Sequence, residues 1–152
     1  MNKGVTLIEL TIALAVLTII AGAVVLGVSA EHRDSQMLYN AAVELQADMR
    51  YAQRRSIQEG RRVYILFEPS LNRYRMFNRN PYNAIRTVYF DTVNLVGTSF
   101  NPHNSAINRI NFTPQGTASA SGTVTLSNGR DLLNLTTTVS GGRVDFEIEE
   151  GN

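Results

Sequence analysis

Residues 36–67 read QMLYNAAVELQADMRYAQRRSIQEGRRVYILF, and the change of period inside this stretch decides the fold. Between Gln36 and Glu59 apolar or small residues return at Leu38, Ala42, Leu45, Met49, Ala52 and Ser56, in steps of four and three. On a helix of 3.6 residues per turn those positions share one narrow face, so the spacing predicts an amphipathic helix with a single surface to cover. Gly60 stands where a helix ends in a left-handed residue. Beyond it, Arg62-Val63-Tyr64-Ile65-Leu66-Phe67 alternates, which predicts a strand.

Downstream the alternation persists. Residues 68–72 form a turn and residues 73–77 its hairpin partner; residues 78–83, with Pro81, form a loop. Residues 87–90 are a short strand, residues 100–105, with Pro102, a second loop, and residues 107–112, 123–126, 132–139 and 143–148 further strands. Asn128-Gly129 and Gly141-Gly142 mark tight hairpin turns. A long N-terminal helix followed by antiparallel strands is an α+β plan, with the helix packed on antiparallel sheet.

Upstream, residues 10–28 read LTIALAVLTIIAGAVVLGV, 19 residues without a charge, or about 28 Å of helix. That length spans a hydrocarbon core. Residues 29–34 contain neither Pro nor Gly, so one helix from about Val5 to Glu59 is expected. Its first half is apolar all round, suited to lipid or to burial among other helices, and its second half is suited to a sheet. Glu9 interrupts the pattern at the head of the run, where a carboxylate is costly unless it finds a partner or water. Two other readings compete: a secretory signal peptide with Lys3 as its basic region and a cut before Glu31, or an uncut anchor. The length of the run and the acid at its head weigh against a signal peptide. Lys3 ahead of the helix assigns the N-terminus to the cytoplasmic side.

Composition narrows the function. Cysteine is absent, which removes disulfides, thiolate metal sites and a cysteine nucleophile. His32 and His103 are far apart and form no metal-binding spacing. No phosphate-binding glycine loop is present, and no Ser or Asp is placed beside a base, so an enzyme is not expected. Residues 29–86 carry ten Arg against six acids, and residues 87–152 three Arg against six acids. The charge is therefore balanced overall but polarised along the chain. A basic patch is conceivable at Arg50, Arg54, Arg55, Arg61 and Arg62, with Arg73, Arg75 and Arg79 nearby; a solvated helix face and a protected strand edge are the plainer account. Tyr51, Tyr64, Tyr74 and Tyr82 are assigned to core and sheet. Asp145, Glu147 and Glu149 alternate on one outer strand face, which is expected to be solvated.

Gly4-Val5-Thr6-Leu7-Ile8-Glu9 resembles the processing site of type IV prepilins and pseudopilins. The resemblance implies that a prepilin peptidase cuts between Gly4 and Val5 and methylates the new N-terminus, and that Glu9 serves assembly. The usual first mature residue of that family is Phe, and here it is Val5. A mid-helix Pro common in the family is missing; Leu26 lies about where it would fall, with Gly22 and Gly27 as the flexible points. Electrostatics gives Glu9 a rationale: in a bundle of identical helices its carboxylate is matched by the free α-amino group of a neighbour's Val5, and such a pair sets register. Further along, Asn111-Phe112-Thr113-Pro114-Gln115-Gly116-Thr117-Ala118, Gly122-Thr123-Val124-Thr125-Leu126 and Gly142-Arg143-Val144, with residues 52–57, resemble the GspH/FimT group of minor pseudopilins and minor pilins.

That resemblance implies a division into a leader (1–4), a transmembrane or filament-core helix (5–28), an amphipathic helix half (29–60) and an antiparallel β domain (61–152). The implied function is a minor pseudopilin of a type II secretion system, incorporated through its N-terminal helix near the pseudopilus tip. The alternatives are a minor type IV pilin of pilus assembly or DNA uptake, and a secreted or anchored binding domain. Implied partners are other pilins or pseudopilins of the filament, the prepilin peptidase and the inner membrane, with the β domain on its outer side and no cofactor. Some FimT-branch members bind DNA through Gly-Arg-x-Arg, but here Gly142-Arg143-Val144-Asp145 replaces the second arginine with an acid and Glu147, Glu149 and Glu150 follow, so nucleic acid is not an expected partner.

Overall fold

The computed structural model describes residues 7–80, 82–101, 108–140 and 143–151; the side chains of residues 21–32 and of Asn101 fall outside that description. The chain divides into two compact units, Met1–Ser35 and Gln36–Asn152. Helix α1 runs Leu7–Glu59. Strands follow as β1 (Val63–Glu68), β2 (Arg73–Phe77), β3 (Ala84–Tyr89), β4 (Asn94–Asn101), β5 (Arg109–Phe112), β6 (Ser121–Ser127), β7 (Leu132–Ser140) and β8 (Arg143–Gly151), with a 3-10 turn at Pro69–Leu71. Two antiparallel four-stranded sheets result, in the orders β3-β2-β1-β5 and β4-β6-β7-β8.

The anticipated helix face is the buried one. Leu38, Ala42, Leu45, Met49, Ala52 and Ser56 are all buried. They join Val63, Ile65 and Phe67 of β1, Tyr74 and Met76 of β2, Ile110 and Phe112 of β5 and the inner faces of β6 and β7. One core therefore serves the helix and both sheets, as a layered α+β domain requires. The helix stops at Gly60, whose φ of 60° is left-handed. Gly60 donates its N–H to the Ile57 carbonyl (3.3 Å) and Arg61 to that of Ser56 (3.2 Å), a Schellman closure that satisfies carbonyls the helix leaves open.

The structure corrects the start of the loop expected at residues 100–105. Phe100 does not open a loop but lies in β4, stacked on Phe67 with ring centroids 5.5 Å apart. Gly97 and the polar residues around it hid the strand, and its register shifts between Leu95 and Gly97. Residues 102–107, including the rest of the expected loop and His103, lie outside the described residues. Asn72 joins the two sheets. It is left-handed (φ 47°), its side-chain amide donates to the Phe90 (2.7 Å) and Val93 (2.8 Å) carbonyls, and its Oδ1 accepts from the Leu95 N–H at 2.6 Å. Asparagine tolerates that conformation better than most residues, and its side-chain amide offers two N–H donors beside a carbonyl acceptor, which these three bonds use.

Candidate assembly surfaces

In the N-terminal unit, Leu7, Ile8, Leu10, Ile12, Leu14, Val16, Leu17, Ile19 and Ile20 are all at least half exposed. The Thr11 and Thr18 hydroxyls donate to the Ile8 and Ala15 carbonyls, each at 2.8 Å, so their donors are satisfied inside the helix. Glu9 lies exposed in the first turn, where the helix dipole favours a negative charge. Such a surface asks for lipid or other helices. No helix among the described residues is long and apolar enough to cross a membrane. The expected span 10–28 runs on past Ile20 into side chains outside that description, as do the processing residues Gly4 and Val5.

In the second unit, the Phe-Thr-Pro-Gln-Gly stretch turns tightly against the end of α1. Thr113 donates its N–H to the Thr117 carbonyl and Gly116 to that of Thr113, both at 2.8 Å. Gln53 donates its side-chain amide to the Gly116 carbonyl at 2.7 Å, and Ser56 its hydroxyl to the Thr113 carbonyl at 2.9 Å. Gly116 has a φ of 80°, and a Cβ there would strike the Ile57 side chain. The motif is therefore a clamp between helix and β-sheet, and that explains its pairing with Gln53 and Ser56 within the stretch 52–57.

Composition concealed one acid. Asp48 is only 4 % exposed. Its Oδ2 accepts the Tyr74 hydroxyl at 2.8 Å and its Oδ1 the Arg86 guanidinium at 2.9 Å, which also reaches Glu44 at 2.8 Å. Burial, reinforced by the Asp48 charge, pushes the Tyr74 phenol well above its usual range. On the outer face of the first sheet, Glu68 accepts from Arg73 (2.9 Å) and Arg75 (2.7 Å). Partial burial works to raise its pKa, but the two guanidinium hydrogen bonds prevail and hold it below the usual carboxylate range.

The anticipated arginine patch separates into different roles. Arg50 lies over the Phe146 ring, 5.7 Å from its centroid, and Arg55 pairs with Glu59 at 2.7 Å and meets the Tyr51 hydroxyl at 2.9 Å. Arg73 and Arg75 are held by Glu68. Arg54 is exposed on the helix. Arg61, Arg62 and Arg79 line an open groove of ≈ 730 Å³ with Tyr64, Asn78 and Gln115. Of the tyrosines, Tyr74 is core and Tyr64 stacks on Phe77 at 5.5 Å, but Tyr51 and Tyr82 are exposed. On β8, Arg143 pairs with Asp145 at 3.1 Å. Asp145, Glu147 and Glu149 all face solvent, as their alternation indicated. Among the described residues no group of three or more potential metal ligands gathers.

A long helix whose inner face packs on two antiparallel sheets, behind an exposed apolar N-terminal segment with an acid at its head, defines a pilin-like subunit. Residues 41–142 match the family model of the type II transport protein GspH, and residues 1–25 match the prokaryotic N-terminal methylation motif. The chain belongs to the GspH family; it is a pilin-like structural subunit of the minor pseudopilin kind and not an enzyme. No curated protein matches the chain. Among solved structures it is similar to the minor pseudopilin EpsH from the type 2 secretion system of Vibrio cholerae, with 9 % identity, a TM-score of 0.54, and 72 % of this chain and 95 % of that one covered. It is also similar to the type IV minor pilin FimU of Pseudomonas aeruginosa, with 21 % identity, a TM-score of 0.54, and 72 % and 92 % covered. At those identities the likeness is one of fold.

Proposed function

We propose that this subunit enters a type II secretion pseudopilus near its tip after cleavage between Gly4 and Val5 and methylation of Val5, and that Glu9 pairs with the α-amino group of a neighbouring subunit. The observation that carries the reading is the contrast along α1. The face from Leu38 to Ser56 is spent on the core, whereas Leu7 to Ile20 is apolar, exposed and headed by an acid. Before assembly the segment holds the chain in the inner membrane as a single pass, with the β domain on the outer side. A carboxylate at the head of an apolar helix is tolerated when an opposite charge meets it, and the amine released by cleavage is such a charge. The prepilin peptidase and the other subunits of the filament are the partners this requires.

DNA binding at the C-terminus is disfavoured, because the Arg143 guanidinium is already paired with Asp145 and three further carboxylates follow. The test is the intact mass and N-terminus of the chain expressed with and without a prepilin peptidase. A start at Val5 that requires the enzyme is the expected result; a start at Glu31, or an uncut Met1 in both samples, refutes the reading. Glu9→Ala is expected to be cut normally and to be lost from sheared filaments. Its undiminished incorporation would remove Glu9 from assembly.

A further inference from the structure

Of the sheet edges in the folded unit, β3 is the one with no described residue across it. β5 is covered where Ser119 donates its N–H to the Asn111 carbonyl at 2.8 Å and Ala118 bridges Phe112. β8 is covered at its middle by Gln46, which donates to the Phe146 carbonyl at 3.2 Å, and β4 at its start by the Asn72 Oδ1 on the Leu95 N–H. β3 ends the first sheet on the side away from β5. Phe90 turns both its polar groups to Asn72: its N–H donates to the Asn72 carbonyl at 2.9 Å and its carbonyl accepts the Asn72 amide. An antiparallel ladder alternates bonded and non-bonded pairs. In the register Arg73↔Tyr89 and Arg75↔Thr87, the N–H and C=O of Tyr89 and Thr87 therefore point away from β2. No described residue outside the ladder takes them.

The edge is also unguarded. Ala84–Tyr89 contains no Pro and no Lys, Ile85, Thr87 and Val88 are β-branched, and its one charge, Arg86, is drawn to Glu44 and Asp48 on α1. Between the end of β3 and the helix lies an open cavity of ≈ 320 Å³, with Met37, Ala41, Val88 and Val93 as its apolar wall and Glu44 and Asp91 as its carboxylates. Arg86 answers Glu44, whereas Asp91 forms no ion pair with a described residue, so a cation is the charge the cavity favours. We propose that β3 receives an extended segment of a different filament subunit, which adds a strand to the first sheet and lays an apolar and a basic side chain over this cavity. Main-chain bonds to Thr87 and Tyr89 supply affinity, and the cavity supplies specificity. Side chains two apart on a strand stand about 6.8 Å from each other on one face, so successive inward residues meet the apolar wall and the carboxylates in turn. A second copy of this chain fits poorly: its own β3 would bring the same acids to the cavity, and its open β8 end carries Glu147, Glu149 and Glu150. The source of the strand rests on the filament-subunit reading.

The probe is the peptide Thr-Lys-Thr-Val-Thr-Lys-Thr, whose Lys and Val side chains share one strand face, added to the full-length protein in detergent. Hydrogen exchange at the Thr87 and Tyr89 amides is expected to slow several-fold, with the β5 amides unchanged. Thr87→Pro removes an outward N–H and no ladder bond, so it is expected to keep its thermal unfolding and lose the slowing at Tyr89. Asp91→Lys, on the surface, is expected to weaken the slowing by this peptide and to transfer it to Thr-Glu-Thr-Val-Thr-Glu-Thr. No slowing in the unaltered chain overturns the proposal, as does slowing that survives Thr87→Pro or that both peptides produce equally in the unaltered chain. In cells with the whole secretion machinery, benzoylphenylalanine in place of Tyr89 is expected, on illumination, to cross-link to an extended apolar and basic segment of another subunit, and Thr87→Pro to remove the adduct. An adduct to a second copy, or one that survives Thr87→Pro, overturns the proposal. Cleavage at Gly4–Val5, scored by mass on the same samples, keeps the two readings apart. Cut chains without protection by the peptide refute the added strand alone, and protection of uncut chains supports the edge against the peptidase reading.

Discussion

Replacing Asp48 by alanine strands the Tyr74 hydroxyl in the core, because that hydroxyl has Asp48 as its partner at 2.8 Å and Tyr74 is 1 % exposed. An unsatisfied buried hydroxyl costs about 1–3 kcal/mol. The lost Arg86 contact adds about 0.5 kcal/mol, because Arg86 is 46 % exposed and regains water. The expected loss for Asp48→Ala is therefore about 1.5–3.5 kcal/mol, or a fall in Tm of about 6–14 °C for a domain of this size. Tyr74→Phe removes one donor from a buried carboxylate that keeps Arg86, and is expected to cost about 1.5–3 kcal/mol. The double variant leaves no stranded group, so its loss should fall short of the sum of the two by at least about 1 kcal/mol. Thermal unfolding of the full chain in detergent, followed by near-ultraviolet circular dichroism, reads this out, since six tyrosines and no tryptophan supply the signal. A double variant as unstable as the sum would show that hydroxyl and carboxylate are independent and refute the reasoning.

The pH dependence carries two signs. Glu68 has a lowered folded pKa, so its contribution is present above about pH 4 and is lost as pH falls through the folded value; Glu68→Gln should flatten the acid limb of a stability–pH profile and leave the alkaline limb unchanged. Tyr74 has a raised folded pKa, so the native state holds its proton where the unfolded chain releases it and stability falls as pH rises above about 10; Tyr74→Phe should reduce that alkaline slope. Asn72→Ala removes three side-chain hydrogen bonds and a residue suited to φ 47°, and is expected to cost about 3–5 kcal/mol in urea unfolding. Gly122→Ala would drive a Cβ into the Ser99 carbonyl and Phe100 across the β4–β6 pair, so hydrogen exchange of β4 amides should accelerate more than that of β1 amides.

The sequence by itself determined what depends on neighbours within a turn or two. The face Leu38, Ala42, Leu45, Met49, Ala52 and Ser56 was legible because residues three and four apart share a side of any helix, and Gly60 because few other residues end one in the left-handed region. The alternating strands β1 and β2 were legible for the same local reason, because residues two apart share a face of any strand. Other features depended on which distant segments meet. Asp48 reads as one more solvated helix acid until the pairing of β2 with β3 brings Tyr74 and Arg86 over it. β4 has a glycine and polar residues in place of a hydrophobic pattern, and it is held by β6 and Phe67. The arginines look like one patch in the chain, yet folding gives Arg55 to Glu59, Arg73 and Arg75 to Glu68, and leaves Arg61, Arg62 and Arg79 to a common groove. Local periodicity fixes which side of an element is buried; the strength and partner of a charge depend on distance and burial, and those exist only once the sheets have assembled.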